Sequence, residues 1–227
     1  MSPRLSHILI ALSGILGTIL LGLYFGIGFS IGLAQLPPSV TLAQELSIAR
    51  QYHDLWFLGT WLQATGSLLS VVFFLALVQR AGAVTRLAGL LTILGSAALL
   101  AVVLIEGVFT LGLAVAAVNG QQTASLTFFV IMTVFTYLYP IVPAPVIFLA
   151  LGTILLGSHL LPRVFGYLAF ILGVAFAVVG LVGLFTTSLL TIIVLSLQAL
   201  WVLAAAITFL IHPGIASDAT GETTLNS

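Results

Sequence analysis

Long apolar runs separated by short polar stretches dominate the chain. Six runs exceed the ~20 residues that an α-helix needs to cross the hydrocarbon of a bilayer. They predict an all-α integral membrane bundle of about six transmembrane helices, forming one domain over residues 1–213. The predicted spans are 8–33, 55–79, 87–118, 123–157, 164–186 and 189–211.

Composition supports the lipid bilayer as the main partner of this chain. Of its 227 residues, 61% are hydrophobic and 4% are charged, whereas a soluble domain carries roughly 25% charged residues. So few charges do not cover a water-facing surface. A formal net charge of zero leaves no basic surface for nucleic acid or anionic lipid, by composition alone. Further partners are therefore expected within the membrane, as another membrane protein or a second copy.

The absence of two residue types narrows the possible chemistry. The chain has no cysteine and no lysine, which excludes disulfides, thiolate metal sites and lysine Schiff bases. It also lacks the G-x-S-x-G, H-E-x-x-H and P-loop motifs of common enzyme classes. The sequence predicts no cofactor, no metal site and no catalytic residue of a known class.

The arginines predict the orientation. Arg4, Arg80, Arg86 and Arg163 fall on one side of the predicted bundle, and Arg50 falls on the other. Positive charge stays preferentially on the cytoplasmic side of a membrane. Both termini are therefore predicted to be cytoplasmic.

Two segments are predicted to lie outside the spans. In the outer loop, 34–53, two prolines stop the first helix, and Thr41 with Gln44 has the spacing of a capping box. The apolar stripe that follows predicts a short amphipathic helix on the outer interface, or an extension of the second span. The polar tail, 214–227, is predicted to be a disordered cytoplasmic segment.

Two stretches of the chain resemble each other. Residues 72–77, VFFLAL, are echoed by 146–151, VIFLAL, and the pattern R-x-x-G-x-L beginning at Arg86 recurs at Arg163. One hypothesis is a duplicated helical hairpin, with its two copies related by an axis along the membrane normal. The alternative is chance similarity, which is common between apolar sequences.

Glu106 is the outstanding polar residue because it lies inside a long apolar run, 97–117. An ionisable side chain at membrane depth is costly and usually faces a bundle interior or a water-filled cavity. Two interpretations remain open: a functional contact, and a hydrogen-bonded carboxyl that only holds two helices together.

Depth counting gives Glu106 possible neighbours. It follows Arg86 by 20 residues, or about 30 Å at ~1.5 Å per residue, which reaches the outer leaflet. The same counting brings five further residues to similar depth: Tyr24, Trp61, Gln63, Tyr137 and Tyr139. These six predict an outward-facing ligand pocket with Glu106 as its carboxylate. An aromatic belt also explains the tyrosines and Trp61, but it does not explain Glu106 or Gln63.

The fourth predicted span contains Pro140, Pro143 and Pro145. Proline removes a backbone donor, so this span is not expected to be one regular helix. A break of this kind is tolerated where the backbone is buried or lines a cavity. The freed carbonyls either line the outer pocket or mark a simple kink.

Two local patterns resemble a bacterial protein family. They are L-I-E-G-V at 104–108 and L-L-P-R-V-F-G at 160–166. Together they resemble a family of small polytopic membrane proteins whose domain has no assigned function, over about residues 60–210. The resemblance implies a six- or seven-helix bundle of the bacterial inner (plasma) membrane, and no established activity.

The sequence therefore favours two functional hypotheses. The first is small-ligand or proton-coupled transport or sensing through a pocket around Glu106. The second is an accessory or structural subunit whose apolar faces dock on another membrane protein. An enzyme acting on lipids is a third class, for which the sequence offers no motif.

Overall fold

The computed structural model describes residues 2–30, 42–183 and 189–212. Every regular element within these ranges is an α-helix. The helices are α1 (Pro3–Ser30), α2 (Leu42–Gln51), α3 (His53–Arg80), α4 (Leu87–Val118), α5 (Gln122–Ile141), α6 (Pro143–Leu156), α7 (Arg163–Gly183) and α8 (Leu189–Ile211). The predicted tail, 214–227, lies outside the described residues, as does the part of the outer loop before Leu42.

Five helices, α1, α3, α4, α7 and α8, are long and apolar enough to cross a membrane. This confirms the predicted all-helical fold and gives five helices that could span a membrane. The predicted fourth span, 123–157, is not a single helix but divides into α5 and α6. The structure thus has five continuous candidate spans and one divided passage where the sequence predicted six spans.

The division between α5 and α6 follows from the prolines. Val142 separates the two helices with φ −123° and ψ −60°, and Pro143 begins α6. Proline fits the first turn of a helix because the N–H it lacks would have no partner there. Both helices still run along α4, since Phe128 of α5 packs at Gly112 and Ile147 of α6 packs at Gly95.

The membrane passages form a closed ring. Neighbouring pairs are α1 with α3, α3 with α4, α4 with both α5 and α6, α6 with α7, α7 with α8, and α8 with α1. Small residues allow the closest approaches, as expected for helices that pack within lipid. A Cβ added at Gly17 would lie 2.9 Å from the Gly66 carbonyl oxygen, and one at Gly152 would lie 2.9 Å from the Phe170 nitrogen.

Aromatic side chains fill one half of the ring. Phe148 lies at their centre, with ring centroids 5.8 Å from Phe74, 5.8 Å from Phe176 and 5.5 Å from Trp201. The Trp201 indole donates a hydrogen bond of 3.0 Å to the Phe165 carbonyl, which satisfies its polar atom. This half of the bundle is therefore a packed apolar core.

The first and last helices meet at one end of the bundle. His7 of α1 shares a 2.6 Å hydrogen bond with the Phe209 carbonyl of α8, and the two rings stack at 4.2 Å. The Arg80 guanidinium donates to the Ser6 hydroxyl at 3.1 Å. Arg4, Arg80, Arg86 and Arg163 all belong to helix termini at this end, which we call the arginine-rich end. That it faces the cytoplasm remains a prediction.

The short helix α2 packs on the opposite end. Tyr52 separates it from α3, so it is not an extension of the second span. Its Ala49 is fully buried in a cluster with Leu113, Ala114 and Ala117 of α4, and the Arg50 guanidinium donates to the Ala117 carbonyl at 2.6 Å. A cation at the end of a helix complements its exposed carbonyls. The amphipathic stripe therefore contacts α4.

The two hairpins of the suspected repeat have similar geometry. Connections of equal length, 81–86 and 157–162, join α3 to α4 and α6 to α7. Phe74 and Phe148, the third residues of the two matching hexapeptides, meet edge to face at 5.8 Å. Equivalent residues meet in this way when two copies are related by an axis between them. The geometry agrees with a duplicated hairpin.

Candidate functional site

Helix α4 directs Glu106 towards the bundle. Leu99, Val103 and Leu113 lie at helical spacing from it and are buried, with 6%, 6% and 0% exposure. Ile105 and Val108, one residue before and two residues after Glu106, are 40% and 65% exposed and face outward. Glu106 itself is half-buried. Its side chain therefore lies at the edge of the inward face of α4.

Gln63 of α3 meets this carboxylate. Its amide Nε2 donates a hydrogen bond of 3.2 Å to Glu106 Oε2. By helical rise, Gln63 lies about 26 Å from Arg80, and Glu106 lies about 30 Å from Arg86. The structure thus joins the two polar residues that the aromatic-belt explanation left unexplained.

A glycine allows α3 and α4 to approach at this level. A Cβ added at Gly107 would lie 2.9 Å from the Thr60 methyl group. The Thr60 hydroxyl donates to the Trp56 carbonyl at 3.0 Å, and Thr110 donates to the Glu106 carbonyl at 2.9 Å. Both hydroxyls thus donate to backbone carbonyls of their own helices, and these two hydrogen bonds do not involve the Glu106 carboxylate. Sequence reasoning missed Gly107 as a packing residue, although its place directly after Glu106 was a usable signal.

Tyr24 brings a third helix to the site. Its ring packs on Gly59 of α3, with Cδ2 3.6 Å from where a Cβ would stand. Gly59 is one turn before Gln63, and the next residue, Thr60, packs at Gly107 directly after Glu106. Three consecutive passages, α1, α3 and α4, therefore contribute Tyr24, Gln63 and Glu106 to one region, which we call the Glu106 site.

Trp61 lies on a different face of α3. It is 57% exposed, like its neighbours Leu58 (45%) and Leu68 (50%). Two residues advance a helix by about 200°, so Trp61 points away from the side chain of Gln63. An interfacial aromatic belt accounts for this position. Tyr137 and Tyr139 belong to α5, but their side chains lie outside the described set.

Two clefts in the structure lie at the other end of the bundle. Their volumes are about 310 Å³ and 140 Å³, and Ser158 lines both. At Glu106, by contrast, the described contacts are polar and join α3 to α4. At the end of α3 opposite Arg80, His53 Nε2 lies 3.1 Å from Asp54 Oδ1, and the two side chains are 48% and 92% exposed, as is usual for solvated polar groups at a surface.

No protein-family model, curated protein or solved structure matches this chain. The resemblance to the bacterial membrane family therefore stays a prediction.

Proposed function

We propose that this multi-pass protein of the inner (plasma) membrane is a small-ligand or proton-coupled transporter or sensor in which Glu106 is the responsive group. One observation carries the proposal: a half-buried carboxylate within a membrane span accepts a hydrogen bond from Gln63 on the neighbouring span. Ionisable groups at this depth are expensive and generally serve function. Its distance of about 30 Å from the arginine-rich end favours access from the outer side.

The chemistry of the site suits a ligand that donates hydrogen bonds. A carboxylate is a hydrogen-bond acceptor with about four lone-pair positions, and the Gln63 amide is one of the donors that it meets here. The hydrogen bond from the Gln63 amide also orients the Glu106 carboxylate, because Gln63 is itself held on the inward face of α3. A small cation, an ammonium or hydroxyl compound, or a proton is the class of partner that such an acceptor recognises.

The competing interpretation of Glu106 uses the same hydrogen bond. A carboxyl that only joins α3 to α4 is expected to remain inaccessible to changes in the outer solution. A responsive carboxyl is expected to exchange its proton or its ligand with that solution. Accessibility therefore separates the two interpretations.

Infrared spectroscopy of the protein in lipid nanodiscs measures this accessibility. The carboxyl C=O band of Glu106 is assigned as the band that disappears in Glu106→Gln, whose amide preserves size and hydrogen bonding to Gln63. We expect acidification or alkalinisation of the buffer to change this band in the wild-type protein. A band that stays constant while the exposed Asp54 titrates would overturn the proposal.

A different observation favours the accessory-subunit alternative. Gly22 and Gly26 of α1 are exposed, and no described atom lies within 4 Å of a Cβ added at either one. This small-xxx-small spacing suits a second helix, from another membrane protein or another copy of this chain. A stoichiometric partner that co-purifies with the wild-type protein and is lost from Gly22→Leu would support this alternative.

A further inference from the structure

A cleft of about 310 Å³ opens at the arginine-rich end, between the α6–α7 connection and the end of α8. Its polar lining comes from five residues: Ser158, His159, Arg163, Thr208 and His212. A smaller cleft of about 140 Å³, lined in part by Arg86, lies on the other side of Ser158. Because Ser158 lines both, the two clefts adjoin.

This region carries positive charge without a nearby carboxylate among the described residues. The described acidic residues, Glu45, Asp54 and Glu106, belong to α2, the first turn of α3 and the outer half of α4. Four of the five arginines thus lie at an end of the bundle where no described element carries a carboxylate. Composition alone excluded a surface for anionic lipid, whereas the folded chain concentrates arginine at one end.

Two further features of the cleft favour an anion. The Ser158 hydroxyl is buried, and no described group forms a hydrogen bond with it, so a donor is available for a ligand oxygen. Helix α7 begins at Arg163 beside the cleft. Helix N-termini present unpaired N–H groups and a partial positive charge, which bind phosphate and carboxylate groups.

Membrane topology explains only part of this arrangement. The tendency of positive charge to stay on one side of a membrane accounts for arginines at one end. It does not account for the placement of an arginine, two histidines, a buried hydroxyl and a helix N-terminus around one cleft. We propose that the cleft binds a phosphate group, either from an anionic lipid headgroup or from free phosphate. Basic pockets between transmembrane helices bind lipid phosphates in this way.

In the proposed site, Arg163 provides the planar pair of donors that matches two phosphate oxygens. His212 is held by a 3.1 Å hydrogen bond from its Nδ1 to the Thr208 carbonyl, and Ser158 provides the buried hydroxyl. The site lies at the opposite end of the bundle from Glu106 and does not depend on the function proposed there.

Lipid titration followed by native mass spectrometry tests this site. For phosphatidic acid, we expect the apparent Kd to rise about tenfold in Arg163→Gln, as for the loss of one charge-assisted hydrogen bond. Arg4→Gln is the matched control, because it removes the same charge from the same end but lines neither cleft. Circular dichroism verifies that both variants fold, and Ser158→Ala provides a second variant that leaves the charge unchanged.

The outcomes are distinct. Weaker binding to Arg163→Gln and Ser158→Ala, with Arg4→Gln unchanged, supports the site. Equal weakening in Arg4→Gln indicates general surface attraction and overturns it, as does equal affinity for diacylglycerol, which has the same acyl chains without the phosphate. A separate titration with inorganic phosphate alone, read by thermal unfolding, identifies the source. Stabilisation of the wild-type protein but not of Arg163→Gln indicates free phosphate, and stabilisation by phosphatidic acid only indicates a lipid.

Discussion

Replacing Gly17 with leucine is expected to destabilise the bundle strongly. A Cβ at this position would lie 2.7 Å from the Ser70 hydroxyl, 2.9 Å from the Gly66 carbonyl oxygen and 2.9 Å from the Ser70 nitrogen. Two of these atoms are backbone, so α1 and α3 must separate to admit any side chain. A leucine there is expected to lower the free energy of unfolding by about 3 kcal/mol.

The same helix provides the control for this prediction. Gly22→Leu introduces the same side chain five residues later, where no described atom lies within 4 Å of the added Cβ. We expect Gly22→Leu to unfold within about 0.5 kcal/mol of the wild-type protein. Thermal unfolding in detergent, with the yield of monodisperse protein, measures both variants. Equal behaviour of the two would show that α1 and α3 do not pack as described.

Replacing both Glu106 and Gln63 with leucine is expected to remove any ligand or proton response while leaving the bundle at least as stable. A single Glu106→Leu substitution leaves the Gln63 amide without its carboxylate, which costs about 1–2 kcal/mol. Replacing both partners with apolar groups removes that penalty. Functional sites commonly reduce the stability of a protein. The double variant therefore separates the ligand or proton response from the stability of the bundle.

Thermal unfolding of the wild-type protein, both single variants and the double variant gives this comparison. The expected order places both single variants below the wild-type protein and the double variant at or above it. If the double variant is instead the least stable of the four, then the Glu106–Gln63 hydrogen bond serves mainly to hold α3 against α4. The functional interpretation would then fail.

The membrane passages were predictable from sequence because hydrocarbon offers no hydrogen-bond partners to the backbone. Backbone groups in hydrocarbon must be satisfied within the segment, so long apolar runs become helices. The bounds of α4 match the prediction, and those of α3 differ by a few residues. The prolines also predicted that the fourth passage is broken, although hydropathy alone made it one span.

Side-chain directions around the candidate site were harder to predict. The constant rise of a helix brought Gln63 and Glu106 to similar depth, and their hydrogen bond agrees with that count. Depth counting ignores rotation about the helix axis, so it also selected Trp61, which faces outward. The helical angle of 100° per residue would have separated Trp61 from Gln63.

Contacts between distant segments were not readable from local patterns. The docking of Arg50 on the last turn of α4 joins residues 67 apart in the chain. The cleft at the arginine-rich end depends on the α6–α7 connection meeting the end of α8. In the sequence, Arg50 and the polar residues of the cleft looked like ordinary interfacial residues, because their partners became evident only in the folded chain.

The most direct test of the Glu106 site is native mass spectrometry of the protein extracted gently from its own membrane. We predict that the wild-type protein retains a small hydrogen-bond-donating or cationic molecule, and that Glu106→Gln loses it while remaining folded. A wild-type protein without such a molecule, or the same molecule retained by Glu106→Gln, would contradict ligand binding at Glu106. A stoichiometric second protein present in both samples would instead support the accessory-subunit alternative.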